Sequence, residues 1–121
     1  MMTAAKGEGA PLERHLMVVM TNPVTGREAE YNVWYDDRHL ADVLKIPGIV
    51  SAERFELSPA QRMDPPHPYG YMALYWIETD NLHGVIDELR KRVGTELMPA
   101  SDALAPERLV YLFKPRKTTG S

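Results

Sequence analysis

The chain has 121 residues, enough for a single domain. Hydrophobic residues make up 44% and charged residues 26%, the balance of an ordinary globular protein that buries roughly two-thirds of its unfolded surface. The formal net charge of -3 argues against a general binder of nucleic acid or of anionic membranes. The absence of cysteine excludes disulfide scaffolds, zinc-thiolate sites, iron–sulfur clusters and thiol nucleophiles.

Residues 1–13 lack the apolar stretch of a secretory signal and read as a disordered leader. Residues 14–115 hold the domain, and 116–121 read as a flexible tail. No apolar run approaches the roughly 18 residues of a membrane span. With no cysteine and no signal, a cytoplasmic location is expected.

Residues 15–21 (HLMVVMT) are apolar and β-prone and predict a first strand. Pro23 and Gly26 punctuate a turn. Residues 27–45 predict a helix with acids in its first turn, Lys45 in its last and Pro47-Gly48 as the stop. Residues 49–57 predict a second strand, and the Pro-rich stretch 58–70 the one long loop. Residues 70–78 predict a third strand, apolar on both faces and therefore central and covered on both sides. Thr79-Asp80-Asn81 offers a cap for a helix over 82–93, which Gly94 ends. Residues 95–107 form a connection of mixed character, and 108–114 a final strand.

The order β-α-β-β-α-β is the α+β, ferredoxin-like arrangement: a four-stranded antiparallel sheet with two helices on one face. Two helices cover only one face, yet strand three is apolar on both, with Tyr71, Ala73, Tyr75 and Ile77 against Met72, Leu74 and Trp76, and so is strand four, with Leu109, Tyr111 and Phe113 against Val110 and Leu112. An uncovered patch of that kind predicts a homodimer packed sheet against sheet, a dimeric α/β barrel.

On a helical wheel the first helix shows two arcs. Ala29, Val33, Leu40, Ala41, Val43 and Leu44 predict the packing face. The neighbouring arc holds Trp34, Arg38 and a four-residue ladder of Tyr31, Tyr35 and His39. Ring faces with one titratable imidazole suit a largely apolar pocket with a few convergent polar groups.

The stretch YNVWYDDRHLADVLKIPG resembles the first-helix motif of the EthD-like branch of the dimeric α/β-barrel superfamily. The motif's aromatic, aromatic pair, histidine and Pro-Gly fall on Tyr31, on Trp34 and Tyr35, on His39, and on Pro47-Gly48. The resemblance covers 31–48 closely and 14–115 loosely. Relatives often carry a proline two residues after the histidine; Ala41 stands there, so the helix is expected to run on regularly. The resemblance implies a small-molecule box with its ligand between the first helix and the sheet. It implies no single reaction, since that superfamily includes cofactor-free quinol monooxygenases, cyclases, lactone isomerases, aldoxime dehydratases and haem-handling enzymes.

His39 is the candidate general acid/base, with an ordinary pKa near 6.5; otherwise it is a structural histidine tied to a backbone carbonyl. Tyr35 is the candidate partner that steadies an oxyanion, with Tyr31 or Arg54 beside it. Trp34 and Tyr75 are candidate pocket walls. Arg38 and Arg54 are candidate clamps for a carboxylate or phenolate, against the ordinary fate of a solvated charge. Asp36, Asp37, His39 and Asp42 diverge around the helix, so no metal site is expected. His67 is a loop residue that can serve a lid, and His15 and His83 have no evident partner. No Gly-rich phosphate loop and no G-x-S-x-G elbow occur. No cofactor is expected, although haem through His39 is not distinguished by these residues.

The leading expectation is a cofactor-independent enzyme acting on an aromatic, polyketide-like or enolisable small molecule by isomerisation, cyclisation or dehydration. The alternatives are a cofactor-free monooxygenase of an electron-rich aromatic and a non-catalytic small-molecule-binding protein.

Overall fold

The computed structural model describes residues 11–120. The leader assigned to 1–13 falls mostly outside them, and the first strand already begins at Glu13. Strands β1 (Glu13–Thr21), β2 (Ile49–Glu56), β3 (Tyr71–Thr79) and β4 (Leu109–Phe113) form one antiparallel sheet in the order β2-β3-β1-β4. Helical segments α1 (Glu28–Trp34), a π turn (Tyr35–His39) and α2 (Leu40–Leu44) follow one another directly, and α3 (Leu82–Arg92) joins β3 to β4. This is the ferredoxin-like fold expected from the element order, with β3 central between β2 and β1.

Alternation along each strand sorts the side chains onto two faces. His15, Met17, Val19 and Thr21 of β1 stand opposite Ile77, Tyr75, Ala73 and Tyr71 of β3 and share the helix-facing side. Arg54 joins that side opposite Ala73, and Val110 and Leu112 of β4 join it opposite Val19 and Met17. The buried core gathers Met17, Ala73, Tyr75 and Ile77 from the sheet, Tyr31, Tyr35, Val43 and Ile46 from the first helix and its exit, and Val85, Met98 and Ala103 from the second half.

Local chemistry sets the boundaries. Asn81 caps α3, its Oδ1 accepting from the Gly84 amide at 3.1 Å. Arg90, Lys91 and Arg92 complement the dipole at the other end. Gly94 then turns the chain with φ 82°. Gly48 does the same after α2 with φ 100°, and a Cβ there would stand 3.0 Å from Val85.

Two expectations about the first helix are corrected. The helix is not regular on its way to Ala41: from Tyr35 to His39 it is wound as a π turn, closed by the Leu40 amide on the Tyr35 carbonyl. A strict four-residue ladder drifts about 40° per step around a regular α-helix. The wider turn cancels part of that drift and keeps His39 beneath Tyr35 on the sheet-facing side. Second, the aliphatic arc is the packing face only in part, through buried Val43 and half-buried Leu40. Val33 is 60% exposed and Leu44 42%, whereas Tyr31 is wholly buried. The aromatic ladder is what the sheet covers, because its rings offer the larger apolar area. Asp42, on the same helix, is a buried carboxylate. It accepts from Arg38 Nε at 2.7 Å.

The 95–107 connection also packs more closely than its composition predicts. The Val24 amide donates to the Ala103 carbonyl at 2.7 Å, the Ala105 amide to the Asn22 carbonyl at 2.9 Å, and Met98 is buried. The outer face of the sheet is left open. Tyr111 and Phe113 stand mostly exposed there, beside half-buried Met72, Leu74 and Trp76.

Candidate functional site

A cavity of about 490 Å³ lies between the first helix and the helix-facing side of the sheet. Its floor comes from Met17, Val19, Thr21 and Tyr75 of the central strands and from Val110 and Leu112 of β4. Trp34, His39 and Val43 close it on the first helix, Ile86, Leu89 and Arg90 on α3, and Met98, Pro99 and Leu104 in the connection that folds back over it. The walls are aliphatic; Thr21, His39 and Tyr75 are the polar side chains that stand among them, with Arg90 and Arg108.

The imidazole of His39 is clamped between rings. It stacks on Trp34 with centroids 4.5 Å apart and planes at 24°, and it meets Tyr35 edge to face at 5.0 Å. Trp34 is pinned in turn, its Nε1 donating to the Pro99 carbonyl at 3.0 Å. Burial drives the His39 pKa down from 6.5 to about 4, with Arg54 pushing the same way and Asp42 opposing. The ring is therefore neutral at physiological pH. Its Nδ1 is buried and has no hydrogen-bond partner. Tyr75 Oη is in the same condition. Burial, with the Tyr35 hydroxyl next in importance, pushes the Tyr75 phenol far above its ordinary value, and burial also raises Tyr35. The two phenols sense each other electrostatically, yet no well-formed hydrogen bond satisfies Tyr75. Both stay protonated as potential donors.

The other expected site residues are placed differently. Tyr31 donates to or accepts from Thr21 Oγ1 at 2.6 Å beneath the floor. Tyr35 packs between Tyr31, Trp34 and His39 and does not line the cavity. Arg54 sits on the far side of that ladder. Its guanidinium lies 4.3 Å from the Tyr35 ring centre and 5.2 Å from those of Tyr31 and Tyr71. Nη1 donates to Asn32 at 2.9 Å and to Asp36 at 2.8 Å, while Nη2 is buried without a partner. Arg38 faces outward, bonded to Asp42 and to the Glu96 carbonyl. His67 bonds the Met63 carbonyl at 2.8 Å, and no residue of the 58–70 loop lines the cavity.

Three features escaped the sequence reading. Glu28, Asn32 and Asp36 form a second four-residue ladder beside the aromatic one. Asn32 donates to the Tyr71 hydroxyl at 3.2 Å, and that hydroxyl donates to Glu28. The spacing was visible; the partner strand was not. Thr21, Met98 and Arg108 reach the site from a strand end and from irregular chain, where no periodicity announces them. Finally, Trp34 is a partition. Its outer side lines an open surface groove with Ala29, Val33 and Ala100. That groove holds none of the unpartnered polar atoms, so the chemistry belongs to the inner cavity. Among the described residues, no three His, Asp or Glu side chains converge as a metal site would require, and no helix is long and apolar enough to cross a membrane.

No protein-family model matches the chain, and no curated protein matches it in sequence. Solved structures do share the fold. A protein from Shewanella loihica provisionally named a monooxygenase covers 88% of this chain and 98% of its own, at 13% identity and a TM-score of 0.57. An ethyl tert-butyl ether d (EthD) family protein from Bacillus halodurans covers 85% and 98%, at 12% identity and a TM-score of 0.47. The ferredoxin-like fold expected from the element order is thus shared with the Shewanella loihica protein.

Proposed function

We propose that this chain is a small enzyme that moves a proton on an enolisable, largely apolar small molecule, with His39 as the base and Tyr75 as the hydroxyl that meets the developing oxyanion. One observation carries the reading. Two buried polar atoms without partners, His39 Nδ1 and Tyr75 Oη, belong to residues that line one apolar cavity. Each such atom costs about 1–3 kcal/mol in a folded protein. A ligand oxygen that reaches the Tyr75 hydroxyl replaces a penalty with a bond, and the His39 ring is met at its other nitrogen.

The His39 ring is uncharged and sealed at Nδ1, so proton traffic with a ligand falls to Nε2. A pKa near 4 makes the free ring a weak base. A substrate that develops negative charge beside it raises that value in the transition state, where the help counts. Tyr35, with its ring edge on His39, and Arg54 behind it act as positioning residues. The provisional name of the Shewanella loihica neighbour leaves room for a cofactor-free oxygenation that begins with the same proton abstraction, but no residue here favours it over isomerisation or cyclisation. The apolar outer face of the sheet completes the proposal. Two copies packed face to face bury Tyr111, Phe113, Trp76 and Leu74, and the particle sediments at about twice the 13.7 kDa chain mass.

The test is hydrogen–deuterium exchange at the α-carbon of a panel of enolisable aryl ketones in D₂O, followed by NMR. The wild type catalyses exchange on members that bind. His39→Ala loses the catalysis and keeps the binding. A variant that exchanges at the wild-type rate overturns the assignment. Binding without exchange anywhere in the panel favours a carrier protein instead.

A further inference from the structure

The charges around the cavity all carry one sign. Arg90 and Arg108 are among its walls, and no aspartate or glutamate is. His39 is neutral. Both arginines are exposed. Among the described residues, Arg108 makes no ion pair, and Arg90 has only a loose 3.9 Å approach to exposed Asp87 one helical turn away. By contrast Arg54, Arg38 and Arg92 each hold a carboxylate at 2.7–2.8 Å. Both cavity arginines therefore have forks to offer a ligand.

Their placement is fixed by the strands. Arg108, Val110 and Leu112 alternate onto the cavity side of the chain entering β4. Leu112 pairs with Met17, which pairs with Tyr75. Arg108 therefore lies two strands over from Tyr75 and four residues further along, about 13 Å at the rise of a strand. Arg90 approaches from the last turn of α3. The cavity has a dry end with His39 and Tyr75, an aliphatic middle, and a wet, doubly positive mouth.

The geometry points to an anionic amphiphile as the ligand: a molecule with an apolar body that fills the 490 Å³ cavity and a carboxylate held at the mouth by Arg108 and Arg90. This rests on the cavity assigned above as the reaction site and adds the substrate's second recognition element. The reacting carbon enters first, toward His39, and the acid stays at the rim. Neutral molecules of the same shape lose the anchor, and cationic ones meet repulsion.

The probes are two matched pairs, decanoate against decan-1-ol and 2-naphthoate against 2-naphthylmethanol, titrated calorimetrically into the full chain at low salt. The expected result is that each carboxylate binds about fivefold or more tightly than its alcohol. Arg108→Gln with Arg90→Gln removes that preference and leaves alcohol binding unchanged, and Arg108→Lys keeps part of it. Circular dichroism confirms that these exposed substitutions fold. Equal affinity for acid and alcohol in the wild type, or a preference that survives the double variant, overturns this inference and leaves the proton-transfer reading intact. No saturable binding of any probe removes the cavity itself and both readings with it.

Discussion

Replacing His39 with phenylalanine separates the cost of the site from its use. The variant keeps a flat ring to stack on Trp34, where the imidazole now lies at 4.5 Å. It removes the buried Nδ1 that has no partner. At pH 7 the variant is therefore at least as stable as the wild type, by up to about 1 kcal/mol. The larger effect appears on acidification. The folded pKa of about 4 lies below the ordinary 6.5 of the unfolded chain. Between those values the unfolded chain binds a proton that the folded one refuses. Wild-type stability is therefore full above pH 6.5, falls as the pH drops toward 4, and loses nothing more to this group below 4. Between pH 7 and pH 5 the loss is about 2 kcal/mol. His39→Phe has no such group and escapes it. Urea unfolding at the two pH values, for both proteins, isolates the difference, because the other histidines and the carboxylates are common to both. If wild type and variant lose the same stability, the imidazole is not held neutral by burial and the reasoning fails.

Tyr75→Phe removes another of the unpartnered buried atoms and should be neutral or stabilising by up to about 1 kcal/mol in urea while lowering turnover. Thr21→Val strands the Tyr31 hydroxyl in a fully buried place, so the same assay should show a loss of about 1–3 kcal/mol. Arg54→Met withdraws a cation that holds the His39 pKa down, and Asp42→Asn withdraws an anion that holds it up. NMR titration of the ring should show shifts in opposite directions, upward for the first and downward for the second. Tyr111→Glu places a charge on the open sheet face and should halve the sedimenting mass if two copies meet there.

The fold was legible because every element announces itself by period or punctuation. The boundaries of β2, β3 and α3 fall within a residue or two of those set by Pro47-Gly48, Gly70, Asn81 and Gly94. The ladder Tyr31, Tyr35, His39 was legible for the same reason. Its environment was not. A helical wheel assumes 100° per residue, so the π turn stayed invisible, and with it the burial of Asp42 and the exposure of Val33. Arg54 read as a free clamp because its anchors, Asn32 and Asp36, lie on another element. Tyr75 was legible as a wall, but an unpartnered hydroxyl is a relation among neighbours that no single strand displays. Arg108, just ahead of β4, read only as the start of the last strand, and nothing in that strand announces the cavity it faces.

A π turn holds one residue more than the α turn it replaces. The site therefore depends on how many residues separate Tyr35 from Leu40, and not only on which they are. Asp36 and Asp37 are both exposed and occupy that stretch. Removing Asp37 would let the helix close as a regular one with Leu40 and Val43 still in register. His39 would then stand three residues after Tyr35, about 60° from it around the axis, while the sheet, the caps and the core kept their places. The placement of the candidate imidazole thus depends on the length of this stretch as well as on its residues, and a change of one residue in length moves it without altering the sheet beneath.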